Sequence, residues 1–159
     1  MKDDAWAYLL RLLSRRPRTT AELHRRLAAK GFPPQTVRTA VTRAVEEGLV
    51  DDRAFARLYA EDRLLSRPCS RRLLREELKG HGLDLGLAEE AARTALGELG
   101  EEDLARRALA QRRPLWHGLS PDVAARRAHA FLLRRGFPPD LARRLAEEAF
   151  GVKGEWTSA

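Results

Sequence analysis

The chain is predicted to be all-α, a tandem repeat of three three-helix modules with about nine helices, elongated and curved. Three recurring marks predict this. Glycine turns return at intervals of about fifty residues, with Leu27 before Gly31-Phe32, Leu78 before Gly82-Leu83 and Leu132 before Gly136-Phe137. Upstream of each turn stands a hydroxyl residue suited to N-capping a helix, namely Thr19, Ser70 and Ser120. Further upstream, Asp3-Asp4, Asp51-Asp52 and Glu102-Asp103 put negative charge where a first helix begins, which suits the positive end of its dipole.

The first module, residues 1–50, opens with Trp6, Leu9, Leu10 and Leu13 at i, i+3, i+4, i+7, the stripe of an amphipathic helix. Thr19 and Glu22 form a capping-box pair for the second helix, which buries Leu23 and Leu27 and stops at Gly31. Pro33 and Pro34 start the third, whose inner face is Val37, Ala40, Val41, Ala44 and Val45, and Gly48 ends it. In the second module, 51–100, the equivalent faces are Phe55, Leu58 and Tyr59; Leu74 and Leu78; and the alanine-rich series Leu87, Ala88, Ala91, Ala92, Ala95 and Leu96. The third module, 101–150, offers Leu104, Ala105, Ala108 and Leu109; Phe131 and Leu132; and Leu141, Leu145, Ala149 and Phe150. Its middle helix is expected to be about one turn longer than its counterparts. Residues 151–159, with two glycines, no periodicity and an isolated Trp156, read as a flexible tail. Nothing alternates with period two, so strands are not expected. A three-helix module of this size buries little core alone, so successive modules should pack on one another.

Composition narrows the function classes. With 43% hydrophobic residues the 159-residue chain can build real cores, and a net charge of +7 favours polyanionic partners or acidic protein surfaces. Only Lys2, Lys30, Lys79 and Lys153 among the basic residues are lysines, so a coding bias towards arginine accounts for part of that surplus. Cys69 is the single cysteine, which excludes an internal disulfide and a thiolate metal cluster. The apolar run from Ala5 to Leu13 is too short to span a bilayer and reads as a core helix, so a cytoplasmic protein without membrane contact is expected.

No catalytic set is visible. His24, His81, His117 and His129 are scattered without the close spacing of a metal site and read as structural or solvated. Cys69 has no identifiable activating partner. No phosphate-binding glycine loop occurs, so neither ATP nor another cofactor is expected. The acidic pairs Asp51-Asp52, Glu76-Glu77, Glu89-Glu90 and Glu147-Glu148 read as helix starts and solvated faces.

Charge distribution says more. Arg71, Arg75 and Lys79 are spaced i, i+4, i+8 along the second helix of the middle module, with Arg72 beside them. Arg25, Arg26 and Lys30 occupy the corresponding helix of the first module, and Arg126, Arg127, Arg134 and Arg135 that of the third. A solvated face satisfied by Glu22, Glu76 and Glu77 explains any one of these; recurrence in three modules favours a binding role. A helix-turn-helix transcription factor is the competing reading, with Gln35, Arg38, Thr39 and Thr42 as base readers. The equivalent helices weaken it, because one presents Asp84, Glu89 and Glu90 and the other mixes Arg143 and Arg144 with Glu147 and Glu148. A pure protein-binding scaffold is a third class.

The stretch Gly48-Leu49-Val50-Asp51-Asp52-Arg53-Ala54-Phe55-Ala56, continuing to Arg63 and then Arg71-Arg72-Leu73-Leu74-Arg75-Glu76-Glu77-Leu78, resembles the RecX family, as does the repeated three-helix plan. The resemblance covers residues 5 to 150. It implies a non-enzymatic, monomeric regulator that lies in the groove of the RecA filament on single- or double-stranded DNA, largely without sequence preference. It further implies inhibition of RecA's ATP hydrolysis, strand exchange and co-protease activity, and so a part in recombination and the SOS response. Arg57 and Arg63 join the basic helices as candidate contacts, whereas Asp51, Asp52 and Phe55 are expected to be structural. One departure stands out: Ser66-Arg67-Pro68-Cys69-Ser70 replaces a glycine-containing connector, and proline fixes φ where glycine leaves it open.

Overall fold

The computed structural model describes residues 2–153; Trp156 and the rest of the expected tail beyond 153 lie outside them. Among the described residues there are nine α-helices and no strand: α1 (Lys2–Arg15), α2 (Thr20–Lys30), α3 (Pro34–Glu46), α4 (Asp52–Ser66), α5 (Arg71–Gly80), α6 (Leu85–Leu96), α7 (Glu101–Arg112), α8 (Pro121–Arg134) and α9 (Pro139–Phe150). This is the all-α repeat of three-helix modules read from the sequence. A 3-10 turn at Arg113–Trp116 was not anticipated. The middle helix of the third module has 14 residues against 11 and 10 for its counterparts.

Two compact units can be described separately: residues 1–60 with 75–94, and residues 61–74 with 95–159. In the first, Ala5, Leu9 and Leu12 of α1 meet Leu23 and Leu27 of α2 and Val37, Ala40, Val41 and Ala44 of α3. The inner face of α1 is thus turned from the predicted one: Trp6 and Leu13 lie at its margin and Leu10 is 41% exposed. A leucine-rich helix fits two overlapping helical stripes, and the one through Ala5 lets α1 approach α2 and α3 closely. Likewise α4 buries Ala56 and Ala60, while Phe55 and Tyr59 are half-buried and Leu58 is 56% exposed. Val45, in the last turn of α3, is exposed as well.

In the second unit Leu104, Ala105, Ala108 and Leu109 of α7 pack with Ala124, Ala125, Ala128, Phe131 and Leu132 of α8 and with Ala142, Leu145 and Ala146 of α9. Trp116, brought in by the 3-10 turn, meets Phe131 edge-on at 5.7 Å and Phe150 at 6.1 Å.

The predicted caps form. Thr19 Oγ1 accepts from Glu22 N at 3.1 Å, Ser70 Oγ from Leu73 N at 3.0 Å and Ser120 Oγ from Val123 N at 3.4 Å. The reciprocal half of the Thr19–Glu22 box does not, because the Glu22 carboxylate turns to Arg16 at 3.1 Å and His81 Nδ1 at 2.9 Å.

Within the first unit, the turn ending α5 lies against the start of α2: Thr19 Oγ1 donates to the His81 carbonyl at 2.5 Å, and a Cβ on Gly82 would overlap that of Ala21. Within the second, the turn ending α8 lies against the start of α5: Ser70 N donates to the Arg135 carbonyl at 2.9 Å, and a Cβ on Gly136 would overlap Ser70 and Leu73. Both glycines have positive φ, 85° and 87°. Gly31, at φ 103°, has no neighbour within 4 Å of such a Cβ. Gly31→Ala should therefore cost only the left-handed backbone penalty, about 1–2 kcal/mol. Gly82→Ala and Gly136→Ala should each cost about 1–3 kcal/mol more from overpacking; urea denaturation of the three variants measures the difference.

Candidate functional site

Each second helix has an apolar face that fixes where its cations stand. On α2, Leu23 and Leu27 are buried and Arg25, Arg26 and Lys30 are exposed. On α5, Leu74 and Leu78 are buried, Arg71, Arg72 and Lys79 exposed and Arg75 half-buried. On α8, Ala124, Ala128, Phe131 and Leu132 are buried and Arg126, Arg127 and Arg134 exposed.

These cations are not equally available. Arg75 lies 3.4 Å from Glu89, and Arg72 reaches the Gly136 carbonyl at 3.4 Å. The side chains of Arg25, Arg26, Arg71, Lys79, Arg126, Arg127 and Arg134 have no carboxylate partner among the described residues. Arg57 on α4 is also exposed, at the rim of a cleft of about 130 Å³ floored by Ala56, Leu87 and Ala91.

Two expected contact residues turn inward. Arg63 is only 6% exposed and donates to the Arg67 carbonyl. Arg135 is half-buried, donates to the Pro68 carbonyl at 2.9 Å and covers the Phe131 ring at 4.7 Å. Burial, reinforced by Arg63 and Arg67, pushes its guanidinium down from the ordinary arginine value. Both arginines brace the 66–70 connector, where Pro68, Cys69 and Ser70 are all buried. Sequence reasoning missed this brace. The available signal was the proline itself: a connector held in one shape leaves its carbonyls needing donors.

The remaining polar residues are mostly structural. His81 packs on Tyr59 at 4.9 Å and Phe55 at 5.2 Å, and Tyr59 Oη donates to Glu77 at 3.0 Å. Asp51 caps α4 through Ala54 N at 3.0 Å, while Asp52 accepts from Thr20 N at 2.9 Å and Thr20 Oγ1 at 2.7 Å. His24 and His129 are half-buried and His117 is exposed. Among the described residues no group of three His, Cys, Asp or Glu side chains can hold a metal, and no helix is long and apolar enough to cross a membrane. Gln35, Arg38, Thr39 and Thr42 are exposed on α3, with Arg38 bonded to Gln35 at 2.9 Å. The acidic residues of the equivalent helices are engaged. Asp84 caps α6, Glu90 faces Arg53 at 3.7 Å, and Glu102, Arg106, Arg144 and Glu148 form a surface network. Hydrogen bonds from Arg144 and Arg106 hold the Glu102 carboxyl below the usual carboxylate range.

Three-helix modules in series, each with cations on its second helix, define a helical-repeat protein. Profiles of the RecX family match all three: the first three-helix domain over residues 5–43, the second over 51–91 and the third over 100–145. The regulatory protein RecX of Thermobifida fusca is 35% identical over 153 residues, covering 94% of this chain and 80% of that protein. That of Streptomyces coelicolor is 33% identical over 155 residues, covering 98% and 82%. The crystal structure of RecX from Lactobacillus salivarius superposes with a TM-score of 0.70 at 18% identity, over 95% of this chain and 97% of that one. The chain belongs to the RecX family of regulatory proteins.

Two measurements check these side-chain roles. Arg135→Met strips a buried carbonyl of its donor and should cost about 1–3 kcal/mol, whereas Arg134→Met, one residue away and exposed, should stay within about 0.5 kcal/mol. His129 gives a pH test. Burial, helped by Arg143 and opposed by Glu147, holds its imidazole below the ordinary 6.5. The unfolded chain therefore takes up a proton that the folded chain refuses. The resulting stability is fully present above pH 6.5 and is lost as pH falls through the lower folded value. Melting His129→Gln beside the parent from pH 7 to pH 5 should show a shallower fall in the variant.

Proposed function

We propose that this chain is a non-enzymatic, cytoplasmic regulator of homologous recombination. It binds the filament that RecA forms on DNA and lowers RecA's ATP hydrolysis, strand exchange and co-protease activity. Membership of the RecX family supports RecA as the partner. The observation that carries the DNA part is the set of exposed, carboxylate-free cations on the second helix of every module: Arg25 and Arg26 on α2, Arg71 and Lys79 on α5, and Arg126, Arg127 and Arg134 on α8.

Cations spaced along one helix follow phosphates rather than bases, and modules in series add several weak contacts through one tether. Arg72, Arg75, Lys30 and Arg57 extend the surface at positions where a neighbouring carbonyl, carboxylate, ring or cleft already holds or flanks them. Arg63 and Arg135 act behind it, by holding the connector. The protein works as a monomer, and no nucleotide, metal or catalytic residue takes part.

The test is inhibition of RecA's DNA-dependent ATPase by Arg71→Gln/Lys79→Gln across a salt series. Glutamine keeps helix propensity and length while removing two charges. Inhibition should weaken, and the log–log salt slope should flatten by about 0.7 per single-strand phosphate contact, so roughly 1.4 in all. Unchanged inhibition at every salt concentration removes α5 from the interface. Selection from random duplexes that yields one sharp palindromic consensus replaces the whole reading with a sequence-specific transcription factor.

A further inference from the structure

The Tyr8 ring of α1 is approached by two cations. Arg11 lies 5.7 Å and Lys30 5.5 Å from its centroid, and Phe32 stands beside it at 6.2 Å, inclined by 47°. Both rings are half-buried against the core of the first unit, while both cations are exposed. Among the described residues neither cation is ion-paired, and the Tyr8 hydroxyl has no hydrogen-bond partner.

Of the other ring–cation pairs, Arg112 lies 5.4 Å from Phe131, a ring already buried, and the remaining cations are committed elsewhere. Arg43, 3.9 Å from Trp6, is ion-paired with Glu47 at 2.9 Å. Phe131 is buried under Arg135, which holds Pro68. Arg113, near Phe150, donates to the Ala149 carbonyl at 3.0 Å.

We propose that Tyr8 and Phe32, with Arg11 and Lys30, form a seat for an unpaired nucleobase of single-stranded nucleic acid. The base stacks on the aromatic pair and the two cations take the flanking phosphates. Any base presents a π-face, so the seat tolerates sequence, whereas a duplex keeps its base faces stacked and is refused. An intact stripe of phosphate-binding cations needs no such selectivity, so the seat adds a preference for unpaired strands to the electrostatic surface described above, on which this inference rests.

The discriminating probe is a pair of fluorescent strands of equal length, oligothymidylate and an abasic backbone, which carry the same phosphates. The parent should bind oligothymidylate about five- to a hundredfold more tightly, the range that one base–aromatic stack supplies. Tyr8→Leu/Phe32→Leu, which keeps the apolar packing, should bind both strands equally, and Tyr8→Trp with Phe32 intact should keep the preference. Lys30→Gln should weaken both equally and flatten the salt slope by about 0.7. Melting curves confirm that each variant is folded. A parent that inhibits RecA yet binds the two strands equally, or a folded Tyr8→Leu/Phe32→Leu variant that still discriminates, overturns the seat alone. A parent that binds neither strand and does not inhibit RecA overturns the filament reading with it.

Discussion

The structure depends on one joint, used twice: the N-terminus of a module's second helix is received by the module that follows. At the first joint Thr19 reaches the His81 carbonyl, Thr20 N donates to the Asp52 carboxylate, and Gly82 admits Ala21. At the second, Ser70 N donates to the Arg135 carbonyl, Arg71 N donates to Glu101 at 3.2 Å, and Gly136 admits Ser70 and Leu73. A helix N-terminus carries unsatisfied N–H groups and partial positive charge. Here both are answered by the next module's acidic helix start and by a carbonyl from its glycine turn. A side chain in place of either glycine closes the space that the neighbouring helix enters.

This joint explains why three unrelated-looking marks recur together in the sequence. Hydroxyl cap, acidic pair and glycine each have a local reason, and each reason is correct as far as it goes: Asp51 caps its own helix, and the glycines take positive φ. Their shared period has a tertiary reason, because the three marks are surfaces of one contact between consecutive modules. The repeat, the helix limits and the role of Asp51 were legible because they follow from spacing and local chemistry. The contact was not, since periodicity along a chain says which residues are equivalent without saying which of them touch. For the same reason the sequence, which marks Glu102-Asp103 as the start of α7, does not single out Glu101 as the residue that faces α5; Asp103 caps its own helix through Gly100 N at 3.1 Å.

Two of the misreadings share a kind of cause, alanine in one case and a buried guanidinium in the other. The inner faces of α1 and α4 run through Ala5, Ala56 and Ala60 rather than through the larger Leu10 and Leu58. Hydrophobic scales favour leucine, but the approach of two helix backbones favours the smallest side chain at the crossing. Arg63 and Arg135 were indistinguishable by sequence from their exposed neighbours, because a positive charge in a basic stripe looks the same whether it meets solvent or a carbonyl. Only the fold shows that the connector around Pro68 lies between them.

The arginine content therefore divides by partner rather than by count. Some guanidiniums serve the fold: Arg63 and Arg135 turn inward to hold backbone carbonyls, and Arg16, itself exposed, holds the Glu22 carboxylate, which is only 3% exposed. Others are neutralised on the surface, as in the network of Arg106 and Arg144 with Glu102 and Glu148. A coding bias explains why arginine rather than lysine fills all of these places, but a bias places charges without regard to the fold. Exposed cations without carboxylates recur on the second helix of each module, among other places, and each of these helices meets a joint at its N-terminus or at the turn after its C-terminus. Within each unit, the contact that fixes a second helix at its joint also fixes the cations which that helix carries, so the feature that organises the fold also arranges charge on the surface.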